Sequence, residues 1–173
     1  DAGFQPGIQV GIIGMGTLGM AAANLIKSFG SEPLVFTNQN IRSSPIKDLE
    51  LTHVFSKECP NNEELQRILD MDGVDISITT SNPWKDYELA LKIVRKGGKV
   101  ICIGFPGRGE GLPGFNPLDS AYLYDKQITL CQTGYRTDLD VPPQDMRFTL
   151  KRNYRYLASL IENGAINPSH IIS

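Results

Sequence analysis

Residues 10–20 read Val-Gly-Ile-Ile-Gly-Met-Gly-Thr-Leu-Gly-Met. A β-type apolar run comes directly before Gly14, Gly16 and Gly19, and an apolar helical pattern follows them. The spacing G-x-G-x-x-G at a strand-to-helix turn is typical of a dinucleotide site. There the first glycine permits the tight turn, the second lets the backbone approach a pyrophosphate, and the third lets the helix lie close to the sheet. We therefore predict that a pyrophosphate binds at Gly14, Met15, Gly16, Thr17, Leu18 and Gly19.

The bulk properties fit one domain and exclude several partners. With 173 residues and 40% hydrophobic content, the chain is long enough for one well-buried core. Lys and Arg total 17 against 19 Asp and Glu, so the net charge is −2 and neither nucleic acid nor an anionic lipid surface is an expected partner. No apolar run approaches the about 18 residues of a membrane span, and the first residues lack a signal-peptide pattern. We predict neither membrane insertion nor export.

The cysteines and histidines predict no metal centre. Cys59, Cys102 and Cys131 are an odd set without C-x-x-C spacing, which indicates a reducing compartment and favours the cytoplasm. His53 and His170 lie far apart and have no Cys or Asp neighbours at metal-ligand spacing. We therefore expect no metal ligands in this chain.

Strand and helix patterns alternate along the chain. Candidate strands are 9–13, 34–37, 53–55, 74–79, 99–103 and 127–131, and candidate helices are 17–29, 45–51, 63–69, 84–96 and 147–163. This alternation predicts an α/β fold, a doubly wound parallel six-stranded sheet in the order 3-2-1-4-5-6 with helices on both faces. Residues 104–117 contain five glycines and three prolines, so we expect a long surface loop there, which would either stay open or close over a ligand.

The end of the second strand indicates which dinucleotide would bind. Sites for NAD usually carry an acidic residue there, about 20 residues beyond the glycines. This chain has the neutral Thr37 and Asn38 instead, and Arg42 would supply positive charge to a 2′-phosphate, with Ser43 and Ser44 as further donors. The pattern favours NADP over NAD. The open alternative is that these are ordinary loop residues in a domain that binds NAD weakly or binds nothing.

Ligands of open α/β sheets lie beyond the carboxyl ends of the strands. Thr80 and Ser81 follow the fourth strand, and we expect them near the adenosine side. Gly104 and Phe105 follow the fifth strand, and we expect them near the nicotinamide. An equally good interpretation of Thr80 and Ser81 is that they cap the helix that begins after Pro83.

Tyr122 and Lys126 match Y-x-x-x-K, the spacing of an acid and a lysine in short-chain dehydrogenases. We reject this interpretation, because the match lies at the predicted start of a strand and not within a helix. The aromatic side chain is expected to pack a loop.

Several segments together resemble the cofactor-binding (Rossmann) domain of the medium-chain, zinc-type alcohol dehydrogenase superfamily. They are Gln5-Pro-Gly7, the glycine turn, Gly73-Val-Asp-Ile-Ser-Ile-Thr-Thr-Ser81, Arg95-Lys-Gly-Gly-Lys-Val-Ile-Cys-Ile-Gly104 and Lys126-Gln-Ile-Thr-Leu130. The resemblance runs from about Gln5 to Thr133. It implies hydride transfer between NAD(P) and an alcohol, aldehyde, ketone or activated alkene, and a homodimer formed through the sixth strands.

The zinc ligands of that superfamily, a Cys and a Gly-His-Glu segment in an amino-terminal catalytic domain, are absent from these 173 residues. We therefore expect residues 1–173 to be a single NAD(P)-binding domain excised from a longer dehydrogenase, with no catalytic residues of its own, inactive alone, and with zinc only in the missing catalytic domain. Two alternatives stay open. One is a nucleotide-responsive regulatory module that never catalyses. The other is an S-adenosylmethionine-dependent methyltransferase, which would usually have an acidic residue where Thr37 stands.

Overall fold

The computed structural model describes residues 3–39, 47–58, 63, 66–67, 72–132 and 150–170. Within them lies a six-stranded sheet whose neighbouring strands all pair in parallel, in the order β3-β2-β1-β4-β5-β6. The predicted fold class and strand order are thereby confirmed. The strands are β1 Val10–Ile13, β2 Leu34–Phe36, β3 His53–Phe55, β4 Val74–Thr79, β5 Val94–Cys102 and β6 Thr129–Gln132.

Side chains on a strand alternate between the two faces of the sheet, so both faces carry apolar side chains. Helices cover both of these faces. On one face, Ile12 and Val35 pack with the helix α1, Thr17–Ser28. On the other face, Ile13 and Phe36 pack with the helix α2, Trp84–Ile93. The remaining helical elements are α3 Ser120–Leu123, α4 Leu150–Glu162 and the 3-10 helices Lys47–Leu49 and Pro168–His170. No helix in the described ranges has the length and apolar character needed to cross a membrane.

The carboxyl ends of the central strands are joined by backbone hydrogen bonds. The N–H of Gly14, just after β1, donates to Phe36 O over 2.9 Å, and the N–H of Thr80, just after β4, donates to Ile13 O over 3.0 Å. The turns that follow β1, β2 and β4 therefore begin at one edge of the sheet.

The predicted helix 84–96 is longer than the observed helix, and the predicted strand 99–103 is shorter than the observed strand. The helix α2 ends at Ile93, and β5 already begins at Val94, which pairs with Val74. Gly97, with φ +67°, belongs to an irregularity inside β5 and does not end the helix. The Nζ atom of Lys126 donates to the carbonyl oxygens of Leu91, Lys92 and Val94, so a distant side chain satisfies the end of the helix.

Smaller differences concern short elements. In place of the predicted helix 45–51, the structure has the 3-10 turn Lys47–Leu49. Most of the predicted helix 63–69 and the first three residues of the predicted helix 147–163 lie outside the described residues. Tyr122 lies in the short helix α3, which the sequence did not predict, and it packs against the core with the other partly buried aromatic residues. Tyr122 therefore does not lie at the start of a strand, and that prediction was wrong.

The segment 104–117 is irregular, as predicted, and it is fastened to Trp84 at the start of α2. The indole Nε1 donates to Gly111 O over 2.9 Å, and the backbone N–H of Trp84 donates to a carboxylate oxygen of Glu110 over 2.8 Å. Phe115 packs edge-on against the indole with ring centroids 6.3 Å apart. The loop is thus held against α2 by polar and aromatic contacts.

Candidate functional site

Two of the three glycines are required by the close packing of the turn. Gly14 has φ +97°, a conformation that other residues rarely adopt, and a Cβ there would lie 2.7 Å from Thr80 Oγ1. A Cβ at Gly19 would lie only 2.0 Å from the carbonyl oxygen of Gly14. Glycine at these two positions lets α1 start directly above the end of β1.

Gly16 differs from its two neighbours in the motif. Its φ of −72° is open to any residue, and in the described part of the chain nothing lies within 4 Å of the position of an added Cβ. A larger residue would thus be compatible with the backbone conformation and with the packing around position 16. Neither the conformation nor the packing therefore explains why this residue is glycine. The open space lies at the N-cap of α1, as expected where a ligand must approach the backbone.

The amino end of α1 is suited to an anion. Gly16 is the N-cap and offers no side-chain cap, and the first turn carries no acidic residue. The first N–H groups of a helix have no carbonyl partner within the helix, and they carry the positive end of its dipole. Thr17 and Leu18 are exposed at this end, whereas the side chain of Met15 is buried and only its backbone faces the turn. Backbone N–H groups can therefore bind phosphate here.

Thr80 supports the glycine turn directly. Its hydroxyl lies 3.1 Å from the carbonyl oxygens of both Ile13 and Gly14 and donates to them. The alternative in which Thr80 and Ser81 cap α2 is wrong, because the N-cap residue is Pro83, whose side chain makes no capping hydrogen bond. The carboxylate of Glu110 accepts from the first N–H of that helix instead.

Behind the turn lies a buried ion pair that sequence reasoning missed. Asp86 in the first turn of α2 is 5% exposed, and its Oδ2 is 2.5 Å from the Nζ atom of Lys57, which follows β3. The hydroxyl of Ser81 donates to the same carboxylate oxygen. One carboxylate therefore joins the segments after β3 and β4 to the start of α2. No local signal revealed it, because an Asp in a first helical turn is usually exposed.

On the adenosine side, the first exposed residue after β2 is Asn38. Thr37 is 3% exposed, and its Oγ1 accepts from the N–H of Gln39, so its side chain supports the turn. The side-chain amide of Asn38 donates to Oε1 of Glu58 over 3.1 Å. Arg42, Ser43 and Ser44 lie outside the described residues.

Gly104 and Phe105 lie at the same edge of the sheet, after β5. A Cβ at Gly104 would approach the carbonyl oxygen of Ser81 to 2.5 Å, so glycine allows these two segments to touch. Phe105 is 65% exposed, and its N–H donates to Oδ1 of Asn82. The guanidinium carbon of Arg108 lies 5.4 Å from the centre of the Phe105 ring. An exposed aromatic ring thus stands beside the end of β5.

The described residues do not fit a zinc ion. Zinc sites need three or four Cys, His or carboxylate ligands around one point. No group of three such residues could hold a metal in the parts of the chain that the structure describes.

Comparison with known proteins agrees with this geometry. The family model of zinc-binding dehydrogenases matches residues 17–151. The chain belongs to this family. Its match spans α1, the strands β2 to β6 and the segments between them, so it covers most of the edge of the sheet described above.

Similar family members are polyol and amino-acid dehydrogenases. Sorbitol dehydrogenase of Bacillus subtilis is 30% identical over 129 residues, which are 73% of this chain and 35% of that protein. L-Threonine 3-dehydrogenase of Xanthomonas campestris is 29% identical over 106 residues, 61% of this chain and 31% of that protein. The chain therefore spans about a third of the length of the curated relatives it matches.

Solved structures share the fold at lower identity. Alcohol dehydrogenase from Thermus sp. ATN1 superposes with a TM-score of 0.71 at 22% identity, over 99% of this chain and 46% of that one. A protein from Sinorhizobium meliloti, solved bound to NADP, gives a TM-score of 0.70 at 18% identity over 96% and 44% of the two chains. These likenesses show a common fold.

Proposed function

We propose that this chain is the NADP(H)-binding domain of an oxidoreductase that transfers a hydride between NADP(H) and an alcohol, carbonyl or enone substrate. The observation that carries the proposal is the open space at Gly16. At this one position of the motif the fold gives no reason for glycine, and the positive end of α1 begins there.

The residues of the turn would divide the work of binding. The backbone N–H groups at Thr17, Leu18 and Gly19 would donate to the pyrophosphate, and Gly16 would leave it room. Thr80 would keep the turn in place through its bonds to Ile13 and Gly14. When bound, the nicotinamide supplies the hydride chemistry, and we place it beside Gly104 and the exposed ring of Phe105.

The choice of NADP(H) rests on the segment after β2. Asn38 is exposed there and neutral, and Arg42 would pair with a 2′-phosphate. The proposal for Arg42 stands on its place in the sequence, four residues beyond Asn38.

Catalysis needs groups that the described residues do not supply. Hydride transfer to a carbonyl requires a group that polarises the oxygen, and the described residues form no cluster that fits a zinc ion. The match to about a third of sorbitol dehydrogenase agrees with a domain of a longer enzyme. We therefore propose that residues 1–173 bind the dinucleotide, that the zinc and substrate sites belong to another domain, and that this domain alone has no turnover.

Two further proposals concern assembly and location. The strand β6 lies at the end of the strand order and pairs with β5 on one side, and Leu130 on it is 36% exposed. A second copy could add its own β6 to this edge and form a homodimer. The odd set of three cysteines without C-x-x-C spacing is compatible with the cytoplasm as the compartment.

Calorimetric titration tests the cofactor. NADPH, NADH and S-adenosylmethionine are titrated separately into the protein, and NADPH is expected to bind most tightly. Arg42→Ala should weaken the binding of NADPH by roughly 1.5–3 kcal/mol and leave the binding of NADH nearly unchanged. Arg155→Ala, an exposed change on α4, is the control and should alter neither. Tighter binding of S-adenosylmethionine would overturn the function, and an equal loss for both dinucleotides would overturn the role of Arg42.

A further inference from the structure

We infer that Glu58 is a specificity-determining residue, whose carboxylate stands at the adenosine ribose and selects against a 2′-phosphate. The inference rests on the proposed dinucleotide site and concerns which form of the cofactor that site accepts. In the dinucleotide sites of this fold class, the acidic residue at this place follows the second strand. Here the structure brings one in from the third strand instead.

The register of the sheet brings Glu58 to the end of β2. The strands β2 and β3 are parallel neighbours, and Phe36 is opposite Phe55, so both strands finish at the same level. Asn38 lies two residues past that level on one strand and Glu58 three residues past it on the other. Their side chains meet at 3.1 Å, with the Asn38 amide donating to Oε1 of Glu58.

Hydrogen bonds hold the segment that carries Glu58, and one of them, from Asn38, reaches the Glu58 carboxylate. The Oδ1 atom of Asn38 accepts from the backbone N–H of Lys57 over 3.2 Å, so the asparagine binds both the backbone and the side chain of the segment after β3. The N–H of Glu58 in turn donates to Ser56 Oγ over 3.2 Å. An exposed glutamate with this much support has a defined position beside the first exposed residue after β2.

The positive charge next to Glu58 in the sequence is directed elsewhere. The Nζ atom of Lys57 lies 2.5 Å from Asp86 Oδ2, on the buried side of the segment. The Lys57 ammonium is therefore paired with Asp86 and not with the Glu58 carboxylate. A carboxylate accepts hydrogen bonds from ribose hydroxyls, whereas it repels a phosphate that carries about two negative charges.

Glu58 and Arg42 would then act in opposite directions on the same phosphate. Arg42 attracts the 2′-phosphate and Glu58 repels it, so the preference for NADPH is smaller than Arg42 alone would produce. We expect the unmodified protein to bind both dinucleotides, with NADPH the tighter of the two. We also expect a change at position 58 to move the ratio of the two dissociation constants.

The test compares Glu58→Gln and Glu58→Lys with the unmodified protein by titration of NADH and NADPH. Because like-charge repulsion is removed, Glu58→Gln should lower the dissociation constant of NADPH roughly five- to thirtyfold and change that of NADH by less than about threefold. Glu58→Lys should move the ratio further in the same direction. The gain for NADPH should shrink as salt is raised, since salt screens exposed charges.

Glu162→Gln at the end of α4 removes the same charge from a distant exposed site and is the matched control. A ratio within about twofold of the unmodified protein in both Glu58 variants would overturn the inference, while dinucleotide binding itself would still support the proposed function. If neither dinucleotide binds the unmodified protein, the proposed function fails and the inference fails with it.

Discussion

The Nζ atom of Lys57 lies 2.5 Å from Oδ2 of Asp86, and the two side chains are only 18% and 7% exposed. The pair joins the segment after β3 to the first turn of α2. Through Ser81, which donates to the same carboxylate, it also reaches the segment after β4. The back of the candidate site is therefore fastened by one partly buried charge pair.

Lys57→Met should destabilise the fold strongly. The change leaves Asp86 buried without its cation, and the loss of one partner of a buried pair typically costs about 3 kcal/mol or more. The control is Lys92→Met, which breaks the exposed pair between Lys92 and Glu88, one helical turn apart, and should cost about 0.5 kcal/mol or less. Urea unfolding gives both values. Equal losses in the two variants would show that Asp86 does not depend on Lys57.

Asp75 should make stability depend on pH in the acid range. Burial raises the pKa of this carboxyl, but hydrogen bonds from Arg95 and from the N–H of Gln9, with the charge of Arg95, outweigh it and hold the pKa below its usual value. The stabilisation is therefore complete above the unfolded pKa of about 3.9 and is lost as the pH falls through the lower native pKa.

Asp75→Asn should therefore cost less than about 1 kcal/mol at pH 7, because the ion pair with Arg95 is partly exposed and screened by solvent. The difference from the unmodified protein should narrow as the pH is lowered below about 4. Urea unfolding at a series of pH values measures it. A difference that stays constant down to pH 2 would contradict the account of Asp75.

Cys102 should resist alkylation in the folded protein. Burial, and secondarily the neighbouring Cys131, raise the pKa of the Cys102 thiol to about 11, so only ~0.1% of it is thiolate at pH 8. Cys131 is only half-buried. Iodoacetamide labelling at pH 8, followed by peptide mass spectrometry, should therefore modify Cys131 much faster than Cys102. Labelling of both at the same rate would contradict this prediction, and labelling in urea serves as the reference for the unfolded chain.

Gly107→Ala should loosen the loop from Trp84. A Cβ at Gly107 would lie 2.1 Å from Cε2 of the indole, and the residue has φ +72°. Gly109→Ala is a matched control, because Gly109 has φ +82° and nothing in the described chain lies within 4 Å of its Cβ position. We expect the free energy of unfolding to fall by about 1 kcal/mol in the control and by about 2–3 kcal/mol in Gly107→Ala.

Trp84 is the one tryptophan of the chain, so its fluorescence reports the contact directly. The emission maximum should shift to the red in Gly107→Ala and stay in place in Gly109→Ala. Similar spectra and similar stabilities of the two variants would show that the indole does not pack on Gly107.

The sheet could be predicted from sequence because its signals are local. The apolar runs at 10–13 and 74–79 each lie between turn residues, and the glycine spacing fixes the junction between β1 and α1. The strand order followed from the fold class, and the structure confirms it. The end of α2 could not be predicted, because it depends on Lys126, a side chain more than 30 residues away that takes over the last carbonyls.

The same distinction holds at the candidate site. The glycine turn is read from three residues of one segment, whereas the contact between Asn38 and Glu58 depends on how β2 and β3 pair. The burial of Asp86 likewise depends on Lys57 and Ser81, which come from two other segments. A single sequence shows which residue types are present, but long-range register decides which of them meet.

Binding of a pyrophosphate at the glycine turn requires the open space at Gly16, and Gly16→Val tests this requirement. Valine there is allowed by the φ of −72° and meets nothing in the described chain, so the free energy of unfolding should stay within about 1 kcal/mol of the unmodified value. Gly114→Val, another position with nothing within 4 Å, is the control. Calorimetric titration with NADPH should show binding to the unmodified protein and to Gly114→Val, and at least about a hundredfold weaker binding to Gly16→Val, in which the side chain occupies the place of the pyrophosphate. Unchanged NADPH affinity in a stable Gly16→Val protein would contradict the account.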